Sequence, residues 1–96
     1  MATPAVFVFI AEGCGACHDY MPKFERYAAA AKDAGAPFPS GVYDLAQENP
    51  RVQEFAEKLG VRATPTTIVV TSDGKLHRHV GSLPVAQIKS VLSSVR

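Results

Sequence analysis

Two cysteines, Cys14 and Cys17, are the only thiols in this chain of 96 residues, and they stand three positions apart. That spacing admits few chemistries. A structural disulfide across so small a loop removes little entropy from the unfolded chain. A lone C-x-x-C supplies too few ligands to close a structural zinc site. Reversible oxidation of the pair is the chemistry the spacing suits best. His18 follows directly, so the run also satisfies C-x-x-C-H, the attachment motif of c-type haem, with His18 as the axial ligand. Protonated, the same histidine would favour a neighbouring thiolate; its plainer reading is an exposed helical residue. His77 and His79 share one face if their segment is a strand. With no third ligand evident they read as solvated side chains, and no metal site is expected. Asp44 reads as a turn residue rather than a base.

The elements that must position the cysteines follow from hydrophobic patterning. Residues 5–11 form a continuous apolar run rich in valine and phenylalanine, the pattern of a strand buried on both faces. Glu12 and Gly13 turn the chain. A helix then runs from Cys14 to about Asp33, with Tyr20, Met21, Phe24, Tyr27, Ala28 and Ala31 at helical spacing and Pro22 expected to kink it. Residues 34–41 form a loop rich in glycine and proline, and residues 42–45 read as a short strand. The next helix has Asn49 as its cap, Pro50 in its first position and Gly60 at its end, with Val52, Phe55, Ala56 and Leu59 inward. Residues 66–71 are a second β-branched strand, 72–74 a hairpin turn and 76–80 the returning strand. Pro84 starts a last helix whose Val85, Ile88, Val91, Leu92 and Val95 line one face. The order predicts one α/β domain over residues 1–96, with a mixed four-stranded sheet flanked by three helices.

Composition bounds the function. A hydrophobic content of 47% supports a folded globule. The net charge of +1 comes without a basic cluster, so nucleic-acid binding has no electrostatic footprint. No apolar run approaches the roughly 20 residues of a bilayer span, so no membrane partner is expected. Residues 1–5 show neither a charged leader nor a cleavage site, which makes a reducing cytoplasm the expected compartment.

With its C-x-x-C between a buried strand and a helix, the chain resembles the thioredoxin superfamily. Residues 9–17 (FIAEGCGAC) are similar to the family's strand and active-site turn. Pro22 stands where thioredoxins carry their helix-kinking proline. Residues 60–67 (GVRATPTT) look like the segment before the family's cis-proline strand, which puts that proline at Pro65. Residues 72–75 (SDGK) resemble the hairpin, and 79–83 (HVGSL) the glycine-bearing end of the last strand. The resemblance runs from about Val6 to Leu92. It lacks the extra N-terminal strand and helix of full thioredoxins and is closer to the compact glutaredoxin-like core.

The resemblance implies a thioredoxin-like fold and a thiol–disulfide oxidoreductase that reduces protein disulfides. It implies no bound cofactor, a disulfide reductase as electron donor, and action as a monomer. Cys14 would sit at a helix N-terminus, where unpaired N–H groups and the macrodipole favour the attacking thiolate. Cys17, one turn along and deeper, would be the resolving thiol. By resemblance, Pro65 lies against the cysteines and the main chain of Thr64 pairs with an extended substrate, with Gly81 and Ser82 bordering the groove. Gly13 stands where thioredoxins usually carry tryptophan and belongs to the same substrate groove. Val8 stands where they bury an aspartate that helps deprotonate the resolving thiol, so Glu12, His18 or water must take that proton. Glutathione-dependent reduction is an alternative, although residues 81–84 lack the glycine-pair-plus-acid signature it needs. A non-catalytic binding subunit is another. The strand before the motif and the hairpin after it weigh against haem.

Overall fold

A computed structural model describes residues 4–35, 40–46 and 49–94. In chain order they form β1 (Ala5–Ile10), α1 (Gly15–Asp33), β2 (Ser40–Asp44), α2 (Pro50–Lys58), β3 (Thr66–Val70), β4 (Leu76–Val80) and α3 (Val85–Ser94). The sheet order is β2-β1-β3-β4. β2 lies parallel to β1, whereas β3 runs antiparallel to both β1 and β4. This is the mixed four-stranded sheet with three helices that the patterning predicts.

β1 is central and buried on both faces because its alternate side chains serve two cores. Val6 and Val8, fully buried, pack with Tyr20 and Phe24 of α1, Val69 of β3, and Ile88 and Leu92 of α3. Phe9 faces the other way, onto Ala56 of α2 and Ile68 of β3, with Phe7, Tyr43 and Phe55 packed around it. The rings of Phe7 and Phe55 meet edge to face at 5.5 Å, and Phe9 stacks on Tyr43 at 5.6 Å. Such geometries favour an aromatic pair beyond the area it buries.

α2 begins as its sequence dictates. Asn49 Oδ1 accepts the Arg51 N–H at 3.0 Å, and Pro50 takes the first turn, where no N–H is needed. The helix closes at Leu59, with Gly60 at φ +72°, and Arg78 Nη1 of β4 donates to the Leu59 carbonyl at 3.2 Å. A Cβ on Gly60 would collide with that guanidinium, so glycine serves both the turn and the approach of Arg78. Residues 71–75 close the β3–β4 hairpin: the Thr71 N–H donates to the Lys75 carbonyl at 2.9 Å, and the Thr71 hydroxyl to the Asp73 carboxylate.

The boundaries differ from expectation at the strand ends. β1 stops at Ile10, where its ladder with β2 ends, and β3 at Val70, where its ladders with β1 and β4 end, each one residue early. β2 runs over Ser40–Asp44 rather than 42–45, because parallel pairing recruits Ser40 and Gly41 opposite Val6 and Phe7. Leu45 is a turn residue, though its N–H still donates to the Ile10 carbonyl at 2.8 Å. The last helix starts at Val85 rather than Pro84, whose carbonyl accepts the Ile88 N–H. Pro22 lies inside α1, where its missing N–H leaves out the bond to the carbonyl of His18. Val95, and residues 36–39 of the expected loop, fall outside the described residues.

Candidate active site

The carboxyl end of β1 delivers the chain through a tight turn into α1. Gly13 takes φ +82°, a conformation side-chain-bearing residues rarely adopt, and no atom lies within 4 Å of where its Cβ would stand. Backbone geometry, not crowding, is therefore what favours glycine at this position. The Cys14 N–H donates to the Ala11 carbonyl at 3.2 Å, and the Cys14 carbonyl accepts the His18 N–H at 3.1 Å, which starts the helix.

Cys14 is the N-cap of α1, in extended backbone conformation. Its Sγ accepts the Cys17 N–H at 3.2 Å, as capping serine or aspartate oxygens do. No acidic side chain occupies the first turn of α1. A thiolate at Cys14 would gain that hydrogen bond and the positive end of the helix dipole, and both favour the charged, attacking form. Cys14 and Cys17 are joined by a disulfide, with Cα atoms 5.2 Å apart, within the usual span for the bond. Cys14 is partly exposed, whereas Cys17 is 3% exposed and so lies behind it.

The neighbouring β3 entry completes the site. The Thr64–Pro65 bond is cis and Pro65 is buried. Cys14 Sγ lies 3.4 Å from the Thr64 carbonyl. In the disulfide that sulfur carries no proton, so this is a contact; the reduced thiol has a proton to donate there. β3 begins only at Thr66, so the main chain of Thr64 lies outside the ladder. The Thr66 hydroxyl holds the preceding loop by donating to the Ala63 carbonyl at 2.5 Å. Gly81 donates its N–H to the Pro65 carbonyl at 2.8 Å, and the Ser82 hydroxyl reaches the Ala16 carbonyl at 3.5 Å. The sequence-predicted residues Gly13, Cys14, Cys17, Thr64, Pro65 and Gly81 thus converge on one end of the sheet.

On the β2 side, a pocket of about 210 Å³ is lined by Glu12, Gly13, Cys14, Cys17, His18, Met21 and Asp44, with Ile10 and Ala11. Glu12 and His18 are the two proton acceptors proposed from the sequence; Asp44 joins them. Asp44 closes β2, and its Oδ1 accepts the Ala46 N–H of the following turn at 2.8 Å. Its place beside Cys17 depends on β2 pairing with β1, which puts Asp44 opposite Ile10. His77 and His79 lie elsewhere, in a groove with Val69, Thr71, Ser90 and Val91. Among the described residues, no cluster of three or more His, Cys, Asp or Glu could hold a metal ion.

Val8 is fully buried, between Val42 of β2 and Thr67 of β3. The polar group in this core is instead a hydroxyl pair: Tyr20, three residues after Cys17, meets Thr67 Oγ1 at 2.7 Å, both buried. Burial pushes the Tyr20 phenol's pKa above its ordinary value, and the hydrogen bond with Thr67 opposes this. Tyr20 is legible as an inward residue of the helix; its partner is not legible without the sheet.

A family model described as a thioredoxin-like domain matches residues 2–96. No curated protein matches the chain. Solved structures do. MTB dsbF is 22% identical, with a TM-score of 0.76 over 100% of this chain and 83% of its own. Mitochondrial thioredoxin 3 of Saccharomyces cerevisiae, in its oxidized form, is 22% identical, with a TM-score of 0.71 over 97% and 80%. Thioredoxin O2 of Arabidopsis thaliana, also oxidized, is 26% identical, with a TM-score of 0.67 over 95% and 73%.

Proposed function

From the premise that the chain belongs to the thioredoxin-like domain family, we propose that it reduces protein disulfides by dithiol–disulfide exchange at Cys14 and Cys17. One observation carries this reading: the Cys14 sulfur caps a helix N-terminus, 3.2 Å from the Cys17 N–H and 3.4 Å from the Thr64 carbonyl beside Pro65. A capped, partly exposed sulfur with a buried partner one turn behind it is arranged for attack followed by resolution.

In the first step the Cys14 thiolate attacks one sulfur of the substrate disulfide. A Cys14–substrate bond forms, the substrate S–S bond breaks, and one substrate thiolate leaves. The substrate segment lies extended along Thr64, whose main chain is free of the β3 ladder and able to pair with it. In the second step Cys17 loses its proton and its sulfur attacks Cys14 Sγ, forming the intramolecular disulfide and releasing the second substrate thiolate. Two electrons pass from the cysteine pair to the substrate. Glu12, His18 and Asp44 line the pocket that holds Cys17 and are the available proton acceptors, directly or through water. Nothing at Val8 can perform that transfer.

The cycle closes when a disulfide reductase returns Cys14 and Cys17 to thiols, and a reducing cytoplasm is the compartment we propose for it. Paired variants test the assignment. Cys17→Ser accumulates mixed disulfides with protein substrates in lysate, and Cys14→Ser traps none and is inactive on a model protein disulfide. Equal trapping by both variants contradicts the division of roles.

A further inference from the structure

Building on the exchange reaction above, we propose that the groove selects its protein substrates by charge: it favours a disulfide whose cysteine has acidic residues on one flank, and it disfavours acid on the other flank.

The sheet order sets the layout. At the end of the sheet that carries the cysteines, β2 ends at Asp44 on one side of β1, and β3 begins and β4 ends on the other. The cysteine pair therefore has Glu12 and Asp44 on its β2 side, in the pocket they share with Cys14 and Cys17. Its β4 side is basic. An open groove of about 400 Å³ is lined there by Gly60, Arg62, Ala63, Arg78 and Val80. Arg62 stands two residues before Thr64, about 7 Å of extended chain from the carbonyl that touches Cys14. Arg78 shares a strand face with Val80, which pairs with Thr66 at the mouth of the groove.

Three further observations make this side a receptor for an acidic segment rather than a merely solvated surface. Arg78 is held in place by its bond to the Leu59 carbonyl, which leaves the rest of its guanidinium fork unspent. Among the described residues the ion pairs are Glu54–Lys58 and Asp73–Lys75, so neither Arg62 nor Arg78 has a carboxylate partner. Val80, at 64% exposure, is the most exposed large apolar residue among the described residues. Two cations without a carboxylate partner among the described residues thus frame an apolar contact beside the main chain that receives substrate. An extended segment along Thr64 sends one flank over the arginines and the other toward Glu12 and Asp44. Whichever way it runs, the two flanks meet fields of opposite sign.

Reduction rates of disulfide-linked peptides test this. One set carries Glu, Gln or Lys at two positions before an otherwise identical cysteine, and a second set carries them after it. On one flank Glu should exceed Lys by about three- to tenfold in kcat/KM, the range that a few exposed charge pairs supply. On the other flank the order should reverse. Both differences should shrink below about twofold between about 50 mM and 500 mM salt, as screening predicts. Arg62→Gln should reduce the Glu-to-Lys ratio on the acid-favouring flank, and Arg62→Gln with Arg78→Gln should bring it to about one. Among the described residues Arg62 has no ion-pair or hydrogen-bond partner to lose, so its single variant keeps the test readable if the double variant folds poorly. Equal rates for all flanks, the same order on both flanks, or a preference that survives the arginine substitutions overturns the inference alone. Failure to reduce any peptide, the Gln ones included, overturns the oxidoreductase reading and the inference with it.

Discussion

Removing the Tyr20 hydroxyl probes how this core tolerates polar groups next to the redox site. In the folded protein Tyr20 and Thr67 meet at 2.7 Å, with Tyr20 1% and Thr67 0% exposed. Tyr20→Phe leaves the Thr67 hydroxyl buried without its partner, a loss of about 1–3 kcal/mol. For a domain of this length, that corresponds to a fall of about 5–20 °C in Tm. Thr67→Val is close to isosteric and orphans the tyrosine instead, with a similar loss. The double variant removes both hydroxyls and returns to within about 1 kcal/mol of the parent, because an apolar pair needs no hydrogen bond. Urea unfolding followed by circular dichroism suits a chain without tryptophan. The pH dependence has a definite sign. Burial raises the phenol's pKa in the folded state, so the stability difference is fully present below the ordinary tyrosine value and lost as pH rises through the folded one. The parent therefore loses stability above about pH 10, and Tyr20→Phe lacks that loss. If the double variant is as unstable as the two single losses summed, the hydroxyls do not interact and this account of the core is wrong.

Val8→Asp puts a carboxyl into a fully buried apolar position and should lower stability by at least about 1 kcal/mol, increasingly as pH rises above the ordinary carboxyl range. It should nonetheless speed resolution of a preformed Cys14 mixed disulfide; rapid-mixing kinetics showing no acceleration between about pH 6 and 9 would mean that Glu12, His18 or Asp44 already suffices. Gly13→Ala meets no atom yet must hold φ +82°, so urea melts should show a loss of about 1–2 kcal/mol, and an unchanged midpoint would refute the backbone argument.

Much of this arrangement is legible in the residues themselves. Continuous apolar character over Ala5–Ile10 reports burial on both faces, because valines 6 and 8 and phenylalanines 7 and 9 serve separate cores. Asn49 and Pro50 mark a helix start by local hydrogen bonding alone. The features that escape sequence reading depend on pairing between distant segments. Ser40 and Gly41 are weak strand formers recruited by β1, and that same register carries Asp44 to the cysteine pocket. Thr67 looks like one more β-branched strand residue until Tyr20 meets it. Nothing in the sequence singles out Arg78, whose anchorage on the Leu59 carbonyl requires the end of α2 to meet β4.

The most direct test of the exchange reaction is a single turnover. Fully reduced protein, mixed with excess model protein disulfide and quenched with acid, should consume one substrate disulfide per chain and form the Cys14–Cys17 bond in step, as read by thiol labelling and mass. Cys14→Ser should consume none. Substrate consumed at an equal rate by Cys14→Ser, or no Cys14–Cys17 bond formed as the parent turns over, would contradict the assignment of Cys14 as nucleophile and Cys17 as the thiol that resolves it.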